Sequence, residues 1–209
     1  MTKKTLIFDF DGTIADSFTN FLEIVQSLIT KYNLNPISTG ELNKLRDLEA
    51  KALINKLKIP FYKLPFLARD MKTLQQSQIK TLKVFKSLPQ VLAKLKTLGC
   101  SLNILTSNSK QNVEFFIKQN NLLVFDKVYG DVNLFGKDKA ILNFIKQNSL
   151  SKDTVIYIGD EIRDIAACKK AGIEIIAVTW GFNSKAGLLK SQPEYLIDEP
   201  NELLSLLKK

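Results

Sequence analysis

The sequence contains no histidine. Without an imidazole, neither a Ser-His-Asp nor a Cys-His nucleophile can be assembled, and no His-ligated zinc site can form. Acid–base work therefore falls to carboxylates, lysine, tyrosine or cysteine. Cysteine is scarce too. Cys100 and Cys168 are too few for an all-cysteine zinc site and lack CxxC spacing; each sits among apolar or small neighbours, as a buried inert thiol does. Neither calls for an oxidising compartment. Long hydrophobic runs are also missing. The apolar stretch after Lys3 and Lys4 is cut by Asp9, too soon for a signal-peptide core, and no later stretch approaches the ~18 apolar residues of a membrane span. The expected location is the cytoplasm, with no membrane partner. Nine glycines and six prolines leave no low-complexity linker, and no internal repeat is present.

What remains is an ordinary globular balance of 45% hydrophobic and 24% charged residues over 209 positions. Against a soft prior of ~150 residues per domain, that length suggests one main domain with a sizeable insertion, or two small ones. Thirty basic against 21 acidic side chains give a net charge of +9. Such a balance suits anionic partners. There is no dense basic run, arginine-rich arm or nucleic-acid motif, however, so nucleic acid is not the expected partner, and a monomer is the default assembly.

Residues 5–10 (TLIFDF) read as a buried strand ending in acid, followed by a turn at Gly12. From about Phe18 to Lys83 apolar residues recur at helical spacing, in FLEIVQSLI, in residues 41–57 and in MKTLQQSQIKTLKVF. Turn signals at Asn35-Pro36, Pro60 and Pro65 separate them. This block is all helical, and residues 17–85 hold nine lysines and two arginines against five acids, a net +6. Beyond it strands and helices alternate. Helix 88–98, with Ser87 as N-cap and Gly99 as stop, precedes strand 101–105, helix 110–119, a short strand at 127–129 and helix 138–147. Strand 154–158, helix 162–171, strand 174–178, a short strand at 195–197 and helix 202–207 follow. Short strands alternating with helices of ten or so predict parallel pairing with helices on both faces. The expected fold is an α/β, Rossmann-like three-layer sandwich, interrupted after its first strand by a helical insertion.

In open α/β sheets ligands bind beyond the carboxyl ends of the strands. Strand one ends in Asp9-Phe10-Asp11-Gly12-Thr13, a middle strand in Thr106-Ser107-Asn108, and a later one in Gly159-Asp160-Glu161, with Asp164 one helical turn on. Lys137 opens a neighbouring helix. Any single aspartate here is an ordinary turn former. Together, Asp9, Asp11, Asp160, Glu161 and Asp164 crowd like charges, with repulsion of several kcal/mol at a partly buried site. A cation must offset it, and an oxygen-only ligand set points to Mg²⁺.

At these residues the chain resembles the haloacid dehalogenase superfamily. The resemblance rests on DFDGTIADS, ILTSNS, the following Lys137 and IGDEIRDIAACKKAG, in the family's order over essentially the whole chain. Within the superfamily the chain looks most like the phosphoglycolate phosphatase-like branch. The helical insertion stands where that branch carries its cap, giving a core of residues 1–16 and 84–209 and a cap of 17–83. The presence of Asp11 implies phosphoryl transfer, since true dehalogenases of the superfamily usually lack the second aspartate.

The resemblance implies a Mg²⁺-dependent phosphatase acting on a small phosphorylated metabolite, such as phosphoglycolate or a sugar phosphate. Asp9 would be the nucleophile; as a carboxylate already ionised near neutrality, it needs no histidine to activate it. Asp11 would protonate the leaving oxygen and then deprotonate the hydrolytic water. The metal would be held by the Asp9 side chain, the Asp11 carbonyl and Asp160. Asp164 and Glu161 would stand behind these ligands, Asp164 orienting Lys137 or a metal-bound water. Thr106 and Lys137 would hold the phosphoryl group, with Ser107 and Asn108 at a helix start either binding the anion or capping the helix. Relatives often have Lys-Pro where this chain has Lys137-Asp138, which leaves Lys139 as a substitute. Two alternatives stay open: a phosphosugar mutase of β-phosphoglucomutase type, and a catalytically idle member that binds a partner through its basic cap. The aromatic run at 60–66 either lines a substrate pocket or, as is commoner for proline-flanked rings, packs onto its own helices, and Trp180 is expected in the core or its rim ahead of substrate contact.

Overall fold

The computed structural model describes residues 4–38, 40–41, 46–47, 54–133 and 136–207. Six parallel strands form one sheet: β1 (Thr5–Phe8), β4 (Ser101–Leu105), β5 (Lys127–Tyr129), β6 (Val155–Gly159), β7 (Glu174–Val178) and β8 (Tyr195–Ile197), in the order β5-β4-β1-β6-β7-β8. Phe8 of β1 pairs with Ile104 of β4 on one side and Ile158 of β6 on the other. That places β1 at the centre, with the carboxyl ends of β1, β4 and β6 level. β1 is buried throughout, as a strand covered on both faces must be, and its alternation splits the core in two. Leu6 and Phe8 face one layer, which includes Leu92, Phe116 and Leu203. Ile7 faces the other, with Ile141, Tyr157, Ile165 and Ile175.

The first layer is α3 (Leu88–Thr97), α4 (Lys110–Gln119) and α8 (Glu202–Leu207); the second is α5 (Lys137–Gln147), α6 (Ile162–Ala171) and the short α7 (Lys185–Lys190). Local chemistry sets their ends. Ser109 caps α4 by accepting the Asn112 N–H at 3.2 Å. Gly172, at φ 70°, closes α6 by donating to the Cys168 and Lys169 carbonyls. Ser87 does stand at the N-cap of α3, but at φ 68° it makes no side-chain capping bond there. The first strand stops at Phe8, two residues short of the apolar run, because the chain turns at 10–15, where Phe10 O accepts from Ile14 and Ala15. Helix α7 was not legible in the sequence. Both cysteines are free and buried, and burial raises both thiols.

A separate helical unit sits on the sheet's carboxyl edge. Its main elements are α1 (Phe18–Tyr32) and α2 (Leu64–Gln78). Ile24, Val25, Leu28 and Ile29 form the buried stripe of α1 and pack with Leu34, Ile37, Leu57 and Leu67 in a cluster of their own. Asn33, left-handed at φ 47°, ends α1. Asp70 ties the two helices together, accepting from Lys31 at 2.5 Å and from Tyr32 at 2.8 Å. Those bonds hold its carboxyl down at about 2. Where the chain leaves and re-enters the sheet layer, β2 (Ala15–Asp16) and β3 (Lys83–Val84) pair antiparallel. The end of the expected all-helical block is therefore a strand.

The helix expected over residues 41–57 lies largely outside the described residues. The aromatic run departs from expectation. Phe61, Tyr62 and Phe66 are 88%, 72% and 51% exposed. Lys63, at the end of the Phe61–Lys63 turn, donates to the Tyr32 carbonyl, and the Arg69 guanidinium lies over the Phe66 ring. Among the described residues, no helix is long and apolar enough to cross a membrane.

Candidate active site

Asp9 follows β1 and is 3% exposed. Its N–H bonds the Ile158 carbonyl, so the β1–β6 ladder continues one residue into the site. One carboxylate oxygen, Oδ1, accepts the Phe10 N–H at 2.7 Å, and the other accepts Lys137 Nζ at 2.7 Å. Lys137 is buried at the first turn of α5; its ammonium also reaches Asp164 Oδ1 at 2.5 Å and lies over the Tyr157 ring. Burial alone would pull this lysine down, but Asp164 and Asp9 drive it well above the ordinary range, so it stays charged. Lys139 is exposed and lines an open surface pocket with Gly130 and Asn143. Of the two, it is Lys137 that reaches Asp9, although no proline follows it.

Asp160, at the end of β6, is fully buried. Thr13 Oγ donates to its Oδ1 at 2.6 Å and the Phe182 N–H to its Oδ2 at 2.7 Å. Two glycines make room for it. A Cβ on Gly12, whose φ is +74°, or on Gly181 would lie 2.2 Å from Asp160 Oδ2. Asp164 and Glu161 form a capping box at the start of α6, and Glu161 pairs with Arg163. Asp164 thus turns one oxygen to Lys137 and the other to the Glu161 N–H. It bridges the first turn of α5 and the start of α6.

Asp11 is half-buried. Its Oδ2 accepts Asn108 Nδ2 at 3.0 Å. Burial raises its carboxyl, more than the Asn108 bond lowers it, and the Asp9 charge adds to the rise. Asn108 is itself fixed on three sides. Its N–H donates to Thr106 Oγ at 3.1 Å, and its Oδ1 accepts from the Ser109 N–H and Asn112 Nδ2. Of the two expectations for Ser107 and Asn108, helix capping is corrected here: Ser109 is the cap, and the Asn108 side chain bonds Asp11. Ser107 is half-buried, and its hydroxyl bonds nothing among the described residues.

Asp9, Asp160 and Asp164 each offer an oxygen within 4.8 Å of the others. Of these three buried carboxylates Lys137 bonds two, Asp9 and Asp164, and Glu161 is already paired with Arg163. Burial, then Glu161 and Asp9, push Asp160 well above the usual carboxylate range, as an uncompensated anion behaves when no cation is beside it. A hard divalent cation fits this donor set.

Sequence reasoning missed Thr13, Asn112 and the turn at 181–184. Thr13 and the turn lie beyond the carboxyl ends of β1 and β7, where the strand-end rule points, whereas Asn112 lies in the first turn of α4 and carries no such signal. Trp180 does belong to the core rim, its ring beside Phe85 and its Nε1 donating to the Thr13 carbonyl at 3.2 Å.

A parallel sheet whose strand ends gather carboxylates and one buried lysine beneath a helical cap defines a hydrolase of the phosphoryl-transferring α/β class. The chain belongs to the haloacid dehalogenase-like hydrolases, whose family model matches residues 6–178. It is 30% identical to a phosphoglycolate phosphatase of Synechococcus elongatus, over 96% of this chain and 95% of that one. An N-acetylmuramic acid 6-phosphate phosphatase of Pseudomonas aeruginosa is 21% identical, over 99% and 96%. A haloacid dehalogenase-like family hydrolase of Streptococcus pneumoniae superposes with a TM-score of 0.86 at 21% identity, covering 99% of this chain and all of that one. Within its family the chain is phosphoglycolate phosphatase-like, and its enzyme class is phosphoric monoester hydrolase.

Proposed function

We propose that the chain is a Mg²⁺-dependent phosphatase that hydrolyses a small phosphorylated metabolite through an aspartyl-phosphate on Asp9. The observation that carries this reading is the buried pairing of Asp9 with Lys137, 2.7 Å apart, beside an Asp11 held by Asn108. A carboxylate fixed by the N–H of the next residue, Phe10, and flanked by an ammonium can attack phosphorus without a general base. As the Asp9 oxygen bonds phosphorus, the ester oxygen departs with its electron pair and takes a proton from Asp11. The raised carboxyl of Asp11 suits that donation. Asp11, now ionised, then takes a proton from the water that attacks the phosphoryl group. The Asp9–phosphorus bond breaks, and inorganic phosphate leaves with the carboxylate restored.

Lys137, Thr106, Ser107 and Asn108 would hold the phosphoryl oxygens, and Asp164 would hold Lys137. The Asp9 side chain, the Asp11 carbonyl and Asp160 would hold Mg²⁺, which offsets the negative charge brought together in the transition state. Residues 17–83 would act as a cap that shields the site from bulk water, over a core of 1–16 and 84–209. The names of the relatives, both phosphomonoester phosphatases, support a small metabolite of the phosphoglycolate or sugar-phosphate kind.

The test is phosphate release from an aryl phosphate, with Mg²⁺ and with EDTA, by wild type and Asp9→Asn. Release that needs both the metal and Asp9 is the expected result. Wild-type turnover by folded Asp9→Asn overturns the mechanism. Isomerisation of a sugar phosphate without net phosphate release points to the mutase instead.

A further inference from the structure

The turn at 181–184 is gripped from two sides. On the sheet side, Asp160 Oδ2 accepts the Phe182 N–H at 2.7 Å, and Asn183 Oδ1 accepts the Ile162 N–H of α6 at 2.7 Å. On the cap side, Arg46 donates from Nε to the Phe182 carbonyl at 2.6 Å and from its second terminal nitrogen to the Gly181 carbonyl. Asn183 Nδ2 returns a bond to the Arg46 carbonyl. Both oxygens of Asp47 accept from Ser184, at 2.8 Å from its N–H and 2.5 Å from its hydroxyl. Rings close the contact. Phe182 stands edge-on to Phe18 and Phe21 of α1, at 5.4 and 5.2 Å, and the Arg46 guanidinium lies 4.4 Å from the centre of Phe18.

The Gly181 carbonyl and the Phe182 N–H belong to one peptide unit, which is planar and stiff. Arg46 therefore holds one edge of that plane while Asp160 holds the other. A charged donor on the carbonyl polarises the unit and strengthens its N–H as a donor. If the plane turned, the N–H would leave Asp160 Oδ2, whereas Oδ1 would keep its bond to Thr13 in the core.

We propose that Arg46 is a positioning residue. Through the Gly181–Phe182 peptide it makes the seating of the cap set the orientation of Asp160, and with it the affinity of the site for its cation. The inference rests on the phosphatase reading for its catalytic consequence, but its first readout is metal binding. Trp180, the single tryptophan, adjoins Gly181 and bonds Thr13, so its fluorescence reports on this peptide directly.

The experiment is a Mg²⁺ titration followed by Trp180 fluorescence, alongside phosphate release from an aryl phosphate. It compares wild type, Arg46→Ala, Arg46→Lys and Lys72→Ala. Lys72 is the control because it ties α2 to Asp131 at 2.9 Å, a cap–core contact away from the turn. Removing the support behind a metal ligand lowers affinity by about 10- to 100-fold. Arg46→Ala is expected to raise the Mg²⁺ midpoint by at least about tenfold and to lower kcat. Arg46→Lys should recover part of both, and Lys72→Ala should keep the wild-type midpoint. A wild-type midpoint in Arg46→Ala overturns the proposal, as does an equal shift in Lys72→Ala. If Arg46→Ala does not fold, a wild-type midpoint in Arg46→Lys overturns it, and a raised one supports it. A wild type that neither responds to Mg²⁺ nor releases phosphate overturns this inference and the phosphatase reading together. A wild type that does both, matched by Arg46→Ala, overturns this inference alone.

Discussion

Lys137→Met removes the one ammonium inside the carboxylate cluster and keeps most of its volume. The ammonium lies 2.7 Å from Asp9 and 2.5 Å from Asp164. At an effective dielectric constant of about 20, each contact is worth about 6 kcal/mol of attraction. Desolvation of the three charged groups cancels much of that. Breaking a buried pair by removing one partner, however, leaves a charge uncompensated and costs about 3–5 kcal/mol. A domain holds only about 5–15 kcal/mol in total, so the variant is expected to fold but with its urea midpoint sharply lowered near neutral pH in EDTA.

The pH dependence has a definite sign. Burial already raises Asp164 against the lowering effect of Lys137, and losing the lysine raises it further. An acid whose folded pKa exceeds its unfolded value adds stability at low pH that is lost as pH rises through the folded value. The deficit of the variant must therefore shrink as pH falls towards about 5. Urea unfolding followed by Trp180 fluorescence and far-UV circular dichroism measures both effects. A deficit under about 1 kcal/mol near neutrality, or one that deepens on acidification, refutes the reasoning.

Three further outcomes follow from the same geometry. Gly181→Ala places a methyl 2.2 Å from Asp160 Oδ2 and 2.3 Å from its Cβ, so Asp160 must move. Isothermal titration should show Mg²⁺ affinity reduced about tenfold or more in a folded protein. In EDTA, wild-type thermal stability should fall as pH rises from the ordinary carboxylate range through about 7, because burial pushes Glu161 up to about 7 and Asp160 well above its usual range. Both are protonated and favourable below those values and costly above them. The Mg²⁺-induced gain in Tm should grow over the same interval, and a gain independent of pH contradicts this assignment. Finally, Phe61→Ser and Tyr62→Ser, at residues 88% and 72% exposed, should each change unfolding stability by no more than about 0.5 kcal/mol. A loss of several kcal/mol would show that the rings are packed.

Much of this molecule was legible because its strands are buried on both faces. Ser101–Leu105 and Glu174–Val178 read as strands at their observed bounds, and the neighbouring helices declare themselves by apolar spacing and, after residue 98, by the stop at Gly99. Elements with little local signal were not legible. β2 and β3 have two residues each, and α7 has six with a glycine inside it. Their formation depends on partners far along the chain. The aromatic run misled as well: proline-flanked rings usually find a surface to cover, yet Phe61, Tyr62 and Phe66 are exposed, which depends on where the segment sits in the fold and not on its own residues.

The sequence by itself determined the chemistry on offer: carboxylates, one well-placed lysine and no imidazole, at strand ends that a parallel sheet must bring to one edge. It did so because strand direction and helix spacing are local properties, and because acids at those positions are costly without a cation. Only the tertiary structure showed which of Lys137 and Lys139 reaches the strand-end carboxylates. Both open the same helix, but just one points its ammonium into the gap between Asp9 and Asp164. Only the tertiary structure, too, put Arg46 and Asp47 of the helical insertion against a turn more than 130 residues away. Contacts of that separation follow from how layers pack, and no periodicity in the chain encodes them.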